Sequence, residues 1–309
     1  MKNYIKLIAL LALIFGTMLS AAEEEPVSVA VLDFSVPKED KTSLGQEISE
    51  LITVSLTLED GLVLVEREAL EKALSEQQLG LSGAVNPSTA AKIGELIGAK
   101  VLVSGRVIKV GNSTIIVAKV MGTETSRVFA SKVSTKNASE LETIVDELGT
   151  KVAALVREKS GDLLAPEPNI EDLVEKLKPL LVGKELPAVS VSIPEVHIGT
   201  AVPDPAAQTE IVMLLKTLGF EVYPSGDSRV DVEVKGEAFS EFASRYTGLY
   251  SCRARVEIEM KALASGKLIW ADRENSIGLD VAEHFAGKKA LQKAGAEISE
   301  RVVRKLIGE

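Results

Sequence analysis

Residues 62–105 read LVLVEREALEKALSEQQLGLSGAVNPSTAAKIGELIGAKVLVSG, and this stretch decides the fold. Leu62–Val65 is a short apolar run, which suits a strand buried on both faces. Glu68–Leu79 follows with helical spacing, Leu70, Ala73 and Leu74 facing inward. Asn86-Pro87 opens another helix, because asparagine caps well and proline fits the first turn. Gly98 stops it, and a second strand begins at Val101. Two strands bracketing two helices within so few residues require a mixed α/β layer.

Working outward, Val27–Phe34 (VSVAVLDF) is another apolar, valine-rich run. Ser43–Leu58 is helical, with Ser43 as a candidate cap and Leu44, Ile48, Leu51, Ile52 and Leu58 as its stripe. After Val101–Val110 the chain turns at Gly111-Asn112 into Thr114–Met121, returns over Ser126–Ser134, and closes with a long amphipathic helix over Ala138–Lys159. Residues 161–187, punctuated by Pro166, Pro168, Pro179 and Pro187, read as a linker with one short helix over Ile170–Lys178.

The remainder repeats the plan without the middle helices. Val189–Ile193 is a strand, Asp204–Leu218 a helix and Phe220–Tyr223 a strand. Arg229–Lys235 and Leu249–Leu263 then alternate. In the second of these, Cys252, Ala254, Val256, Ile258 and Met260 point one way and Arg253, Arg255, Glu257 and Glu259 the other. Such alternation marks antiparallel strands with one wet face. Lys267–Arg273 follows a turn, and Val281–Ile307 is the last helix. The expected fold class is therefore α+β: two tandem layer domains, each a mixed sheet with helices packed on it, related by a degenerate internal repeat. The expected boundaries are 1–22 for a signal peptide, 23–160 for the first domain, 161–187 for the linker and 188–309 for the second domain.

The signal peptide rests on Lys2 and Lys6, the apolar run Leu7–Phe15 and the small residues Ser20-Ala21-Ala22 before Glu23. The run is short for a membrane of about 30 Å. No cysteine stands at the cleavage region, so the expectation is an exported periplasmic protein, not a lipoprotein. The formal charge of −10 falls to roughly −12 once Lys2 and Lys6 are removed. That balance argues against nucleic acid as a partner, and 4% aromatics leave little for base or sugar stacking. Cys252 is the one cysteine, so no internal disulfide forms.

The motif string VAVLDF, LVLVERE with Glu66-Arg67, ALEKALSEQQLGLSG with Glu76-Gln77 and Gly83, and KIGELIGAKVLVSGRV with Gly94, Gly98, Ala99 and Gly105 resembles the curli secretion-channel (CsgG) family and its soluble relatives. The resemblance covers about Val27–Ser160; the second domain resembles the same fold by layout only. It implies no catalytic residues and no cofactor. Other periplasmic relatives of this fold include accessory proteins of cell-wall synthases and some flagellar assembly proteins. The family's channels extend strands into membrane hairpins of about 9–11 residues per strand. The tight turns at Val110–Ser113 and Gly122–Thr125 leave no such insertion here, so the resemblance is to the family's soluble body.

Chemistry-bearing residues are sparse. His197 and His284 lie in separate elements with no cysteine or aspartate spacing of a metal site. Cys252 reads as a small buried hydrophobe. Asp33 ends the first strand, where acids act in some α/β enzymes, but no second carboxylate or glycine-rich loop accompanies it. Ser240–Ser251 holds Phe242, Arg245, Tyr246 and Tyr250, and aromatics with arginine suit protein recognition. The expected function is non-enzymatic binding of other envelope proteins in assembly, secretion or activation of an envelope machine. Self-association and peripheral membrane contact stay open; a nucleic acid or small-molecule cofactor is not expected. The alternatives are an outer-membrane secretion component forming an oligomeric ring, and an exported enzyme using an acid such as Asp33.

Overall fold

The computed structural model describes residues 26–37, 43–76, 86–166, 169–202, 204–246 and 248–309. The expected signal peptide at 1–22, Gln77, Gly83 and the side chain of Ala73 lie outside the described residues. Two sheets organise the chain. The first is built from β1 (Val27–Val31), β2 (Leu62–Leu64), β3 (Val101–Val110), β4 (Ser113–Gly122) and β5 (Val128–Thr135). Its helices are α1 (Leu44–Thr57), α2 (Arg67–Glu76), α3 (Pro87–Ile97) and α4 (Leu141–Glu158). The short α5 (Ser160–Leu163) and α6 (Ile170–Leu177) follow. The second sheet is built from β6 (Val189–Ser192), β7 (Glu195–His197), β8 (Thr200–Ala201), β9 (Val222–Tyr223), β10 (Val232–Tyr246), β11 (Leu249–Ala262) and β12 (Lys267–Asp280), with α7 (Ala206–Thr217) and α8 (Glu283–Leu306).

The strand orders are β2-β1-β3-β4-β5 and β9-β6-β10-β11-β12. In both, the first three neighbours run parallel and the last three antiparallel. The repeat is therefore one of topology, and the molecule is an α+β protein of two such layers. The β7–β8 hairpin is an addition in the second sheet, hidden from a pattern reading because its strands are only three and two residues long.

The two sheets are covered differently. Side chains alternate along β1 and β3: Val29, Val31, Val101 and Val103 enter a core with α1 and α4, while Ala30, Leu32 and Leu102 enter another with α2 and α3. Each such fully buried valine or leucine contributes about 1.5–3 kcal/mol. In the second sheet Val234, Ala238, Ala254, Val256, Ile258 and Met260 pack under α7 and α8. Residues between them, such as Glu237, Arg255 and Glu257, keep contact with water.

Two local expectations are corrected. Leu58 is 80% exposed, and the buried stripe of α1 is Ile48, Ile52 and Leu56. The i, i+4 row continues to Leu56, whereas Leu58 lies past the last helical turn. Ser43 makes no side-chain cap; its hydroxyl donates to the Glu47 carboxylate instead. Asn86 does cap α3, accepting from the Thr89 N–H at 2.9 Å.

Candidate functional site

The string of short motifs in the first unit becomes a set of internal contacts. Asp33, at the end of β1, receives Arg67 through both carboxylate oxygens (2.9 and 3.0 Å) and the Ser49 hydroxyl at 3.0 Å. Arg67 also reaches Glu71 at 2.8 Å. The partner of Arg67 is thus Asp33, not the adjacent Glu66, whose backbone N–H donates to the Arg245 carbonyl. The fork of the guanidinium matches the two oxygens of the Asp33 carboxylate. Gly94 and Gly105 permit close approach: a Cβ would fall 2.3 Å from Thr123 and 2.1 Å from the Phe34 ring, respectively.

Gly98 ends α3 in the left-handed region (φ 73°) and also forms the seam between the units. A Cβ there would lie 2.4 Å from the Ser251 hydroxyl and 2.9 Å from Ile277. The Ile97 carbonyl just before it accepts two hydroxyls from β10, Ser244 at 2.6 Å and Tyr246 at 2.9 Å. Tyr246 has no exposure, and its burial pushes the phenol up to about 12. Val65 and Tyr246 complete the seam with a single antiparallel bridge.

A bulge explains this arrangement. Along β10 and β11, Phe242 faces Cys252, but after Ala243 the register shifts and Ser244 faces Ser251. One extra residue turns the end of β10 over, so Ser244 and Tyr246 point at α3. The four aromatic and arginine residues expected to form one contact surface are thereby separated. Tyr246 is buried against Ile97, which corrects its expected place on a partner surface. Arg245 lies 5.2 Å over the Tyr250 ring at the hairpin tip. Phe242 is 45% exposed, on the row of Cys252.

Beside the seam, α3 and the end of β4 face the open side of β10–β12 across a cleft of about 840 Å³. Register places two cross-strand rows on its floor: Glu241, Arg253 and Ile277, then Phe239, Arg255 and Asn275. Arg253 Nε donates to Glu241 at 2.6 Å, and Arg255 pairs with Glu257. The Arg255 Nε–H is buried without an acceptor among the described residues. Deeper, Ser276 donates to Glu297. Burial raises the Glu297 carboxyl, while that hydroxyl and Lys293 pull it back. Among the described lining residues none is a histidine or cysteine. The floor offers two guanidinium groups between an aromatic ring and an isoleucine, which suits a carboxylate-bearing extended segment. Sequence alternation had placed Arg253 and Arg255 on a wet face; nothing in it showed that α3 overhangs that face.

No helix among the described residues is long and apolar enough to cross a membrane. No curated protein is significantly similar to the chain. Among solved structures, it is similar to the LpoB C-terminal domain from Salmonella enterica (16% identity, 37% of this chain and 84% of that one, TM-score 0.32). It is similar also to a lipoprotein from Neisseria meningitidis (12% identity, 41% and 97%, TM-score 0.31) and to the PelC dodecamer from Paraburkholderia phytofirmans (15% identity, 42% and 88%, TM-score 0.27). Residues 20–115 match the family model described as curli production assembly/transport component CsgG. The similarity to that family is thus confined to residues 20–115, while the second sheet repeats the first one's strand order.

Proposed function

We propose that the chain is a periplasmic, non-enzymatic envelope protein of the CsgG-like class. It binds other envelope proteins during assembly, secretion or activation of an envelope machine. Residues 23–160 and 188–309 serve as its two domains, and the cleft between them is the binding surface. The observation that carries the assignment is the Arg255 Nε–H without an acceptor, beside Arg253, on the floor of an open cleft. A buried donor without a partner is costly, and an acidic or carbonyl-bearing partner that re-orients the guanidinium removes that cost. Asp33, the acid on which an enzymatic reading would rest, is engaged by Arg67 and Ser49.

The test is photocrosslinking in cells from a reactive residue placed at Ile277, with and without Arg253→Glu and Arg255→Glu. A discrete crosslinked partner lost on charge reversal, with unchanged circular dichroism, is the expected result. A crosslinking pattern indifferent to both reversals would refute the cleft as the binding surface. Osmotic-shock release of the untagged protein without detergent tests the compartment.

A further inference from the structure

On the opposite face of the second sheet, three chemically distinct donors converge from three elements. His197 closes β7, Cys252 lies on β11, and Glu283 is the first residue of α8. One imidazole nitrogen, the Cys252 sulfur and a Glu283 carboxylate oxygen all lie within 4.8 Å of one another. Cys252 is fully buried, and its thiol donates to the Glu283 carbonyl at 3.4 Å. The β7–β10 register sets His197 opposite Ser240, whose buried hydroxyl lies 2.7 Å from Nδ1. That contact orients the ring and leaves Nε2 for a ligand.

Two glycines bring the helix down onto this cluster. A Cβ at Gly278 would lie 2.4 Å from the Ala286 carbonyl oxygen. A Cβ at Gly287 would lie 2.3 Å from the His197 ring. The β7–β8 hairpin, which has no counterpart among the described residues of the first sheet, is what delivers the histidine.

We propose that His197, Cys252 and Glu283 form a zinc-binding site that ties β7, β11 and α8 together. Nitrogen, sulfur and carboxylate oxygen are the donors that zinc accepts in tetrahedral sites, with water in the fourth position. Ser240 is the outer partner that fixes the histidine ring, a role that hydrogen-bond acceptors play for zinc-bound imidazoles. On binding, the Zn–S bond forms as the thiol S–H breaks and its proton leaves to solvent, with no change of oxidation state. The Glu283 carboxylate stands at the N-terminus of α8, where a negative charge is favoured, and with the Cys252 thiolate it offsets the charge of the ion.

The experiment uses the full, untagged chain, reduced and stripped with chelator. Zn²⁺ is titrated by calorimetry and Co²⁺ by absorbance. The expected result is one equivalent bound, a sulfur-to-cobalt charge-transfer band, and a higher Tm with Zn²⁺. Cys252→Ser should abolish the band, and Glu283→Gln and Ser240→Ala should each weaken Zn²⁺ binding by about 10–100-fold. Because Cys252 is buried, Glu283→Gln and His197→Gln decide the matter if the serine variant unfolds. Absence of saturable Zn²⁺ binding to the wild-type chain, or equal affinity in the Glu283→Gln and His197→Gln variants, overturns the proposal.

Discussion

The two sheets share strand order and strand direction but not their covering. The first is dressed on both faces, by α1 and α4 on one side and by α2 and α3 on the other. Among the described residues the second unit's own helices pack on one face of its sheet, and its strands β10–β12 run to 15, 14 and 14 residues. Inserting two helices therefore did more than thicken the first unit. It supplied a wall for the uncovered face of the second, and the cleft lies between wall and floor. A repeated strand order leaves a cleft here because the two units are unequal.

If the seam at Ile97–Tyr246 holds that inequality in place, damage there should cost most. Tyr246→Ala should lower stability by about 3–5 kcal/mol, the usual loss for a buried aromatic truncated to alanine, read from urea unfolding. Alkaline pH should loosen the same seam. The unfolded phenol releases its proton near 10, whereas burial holds the folded one to about 12. Stability from this residue is thus full below pH 10 and is lost as pH rises through about 12. The loss amounts to about 3 kcal/mol at roughly 1.4 per unit, and tyrosinate absorbance should report it in step with unfolding. Gly98→Ala should cost about 2–3 kcal/mol, combining left-handed strain with the Ser251 contact; a larger loss than for Gly61→Ala, which has open space, would sharpen the comparison. On the surface of the first unit, Leu58→Ser should change stability by less than about 0.5 kcal/mol, and a greater drop would contradict its exposed placement.

Much of the fold was legible because burial and period agree. VSVAVLDF reads as buried on both faces, and Ala30 and Leu32 do face away from Val29 and Val31. The alternation from Cys252 to Met260 holds along β11. Asn86 announces its cap. What escaped reading is nonlocal or a matter of one residue. The bulge at Ala243 leaves no mark in the polar string SEFASRY, yet it sends Tyr246 inward and scatters the expected contact residues. Arg67 finds Asp33 at the end of the neighbouring strand, a pairing that no spacing in the sequence announces. His197, Cys252 and Glu283 meet only through the strand register and the close descent of α8, neither of which any spacing encodes.

The Ile97 carbonyl has a consequence for how the molecule is made. It ends α3, and its partner Tyr246 lies 149 residues later in the chain. At roughly 5–20 residues per second, synthesis alone separates the two by about 7–30 s. Throughout that interval the first unit has a helix end without its two hydroxyl donors and an apolar face without the residues that cover it. The early half of this protein is born incomplete, and its finishing piece is the far tip of a hairpin in the late half.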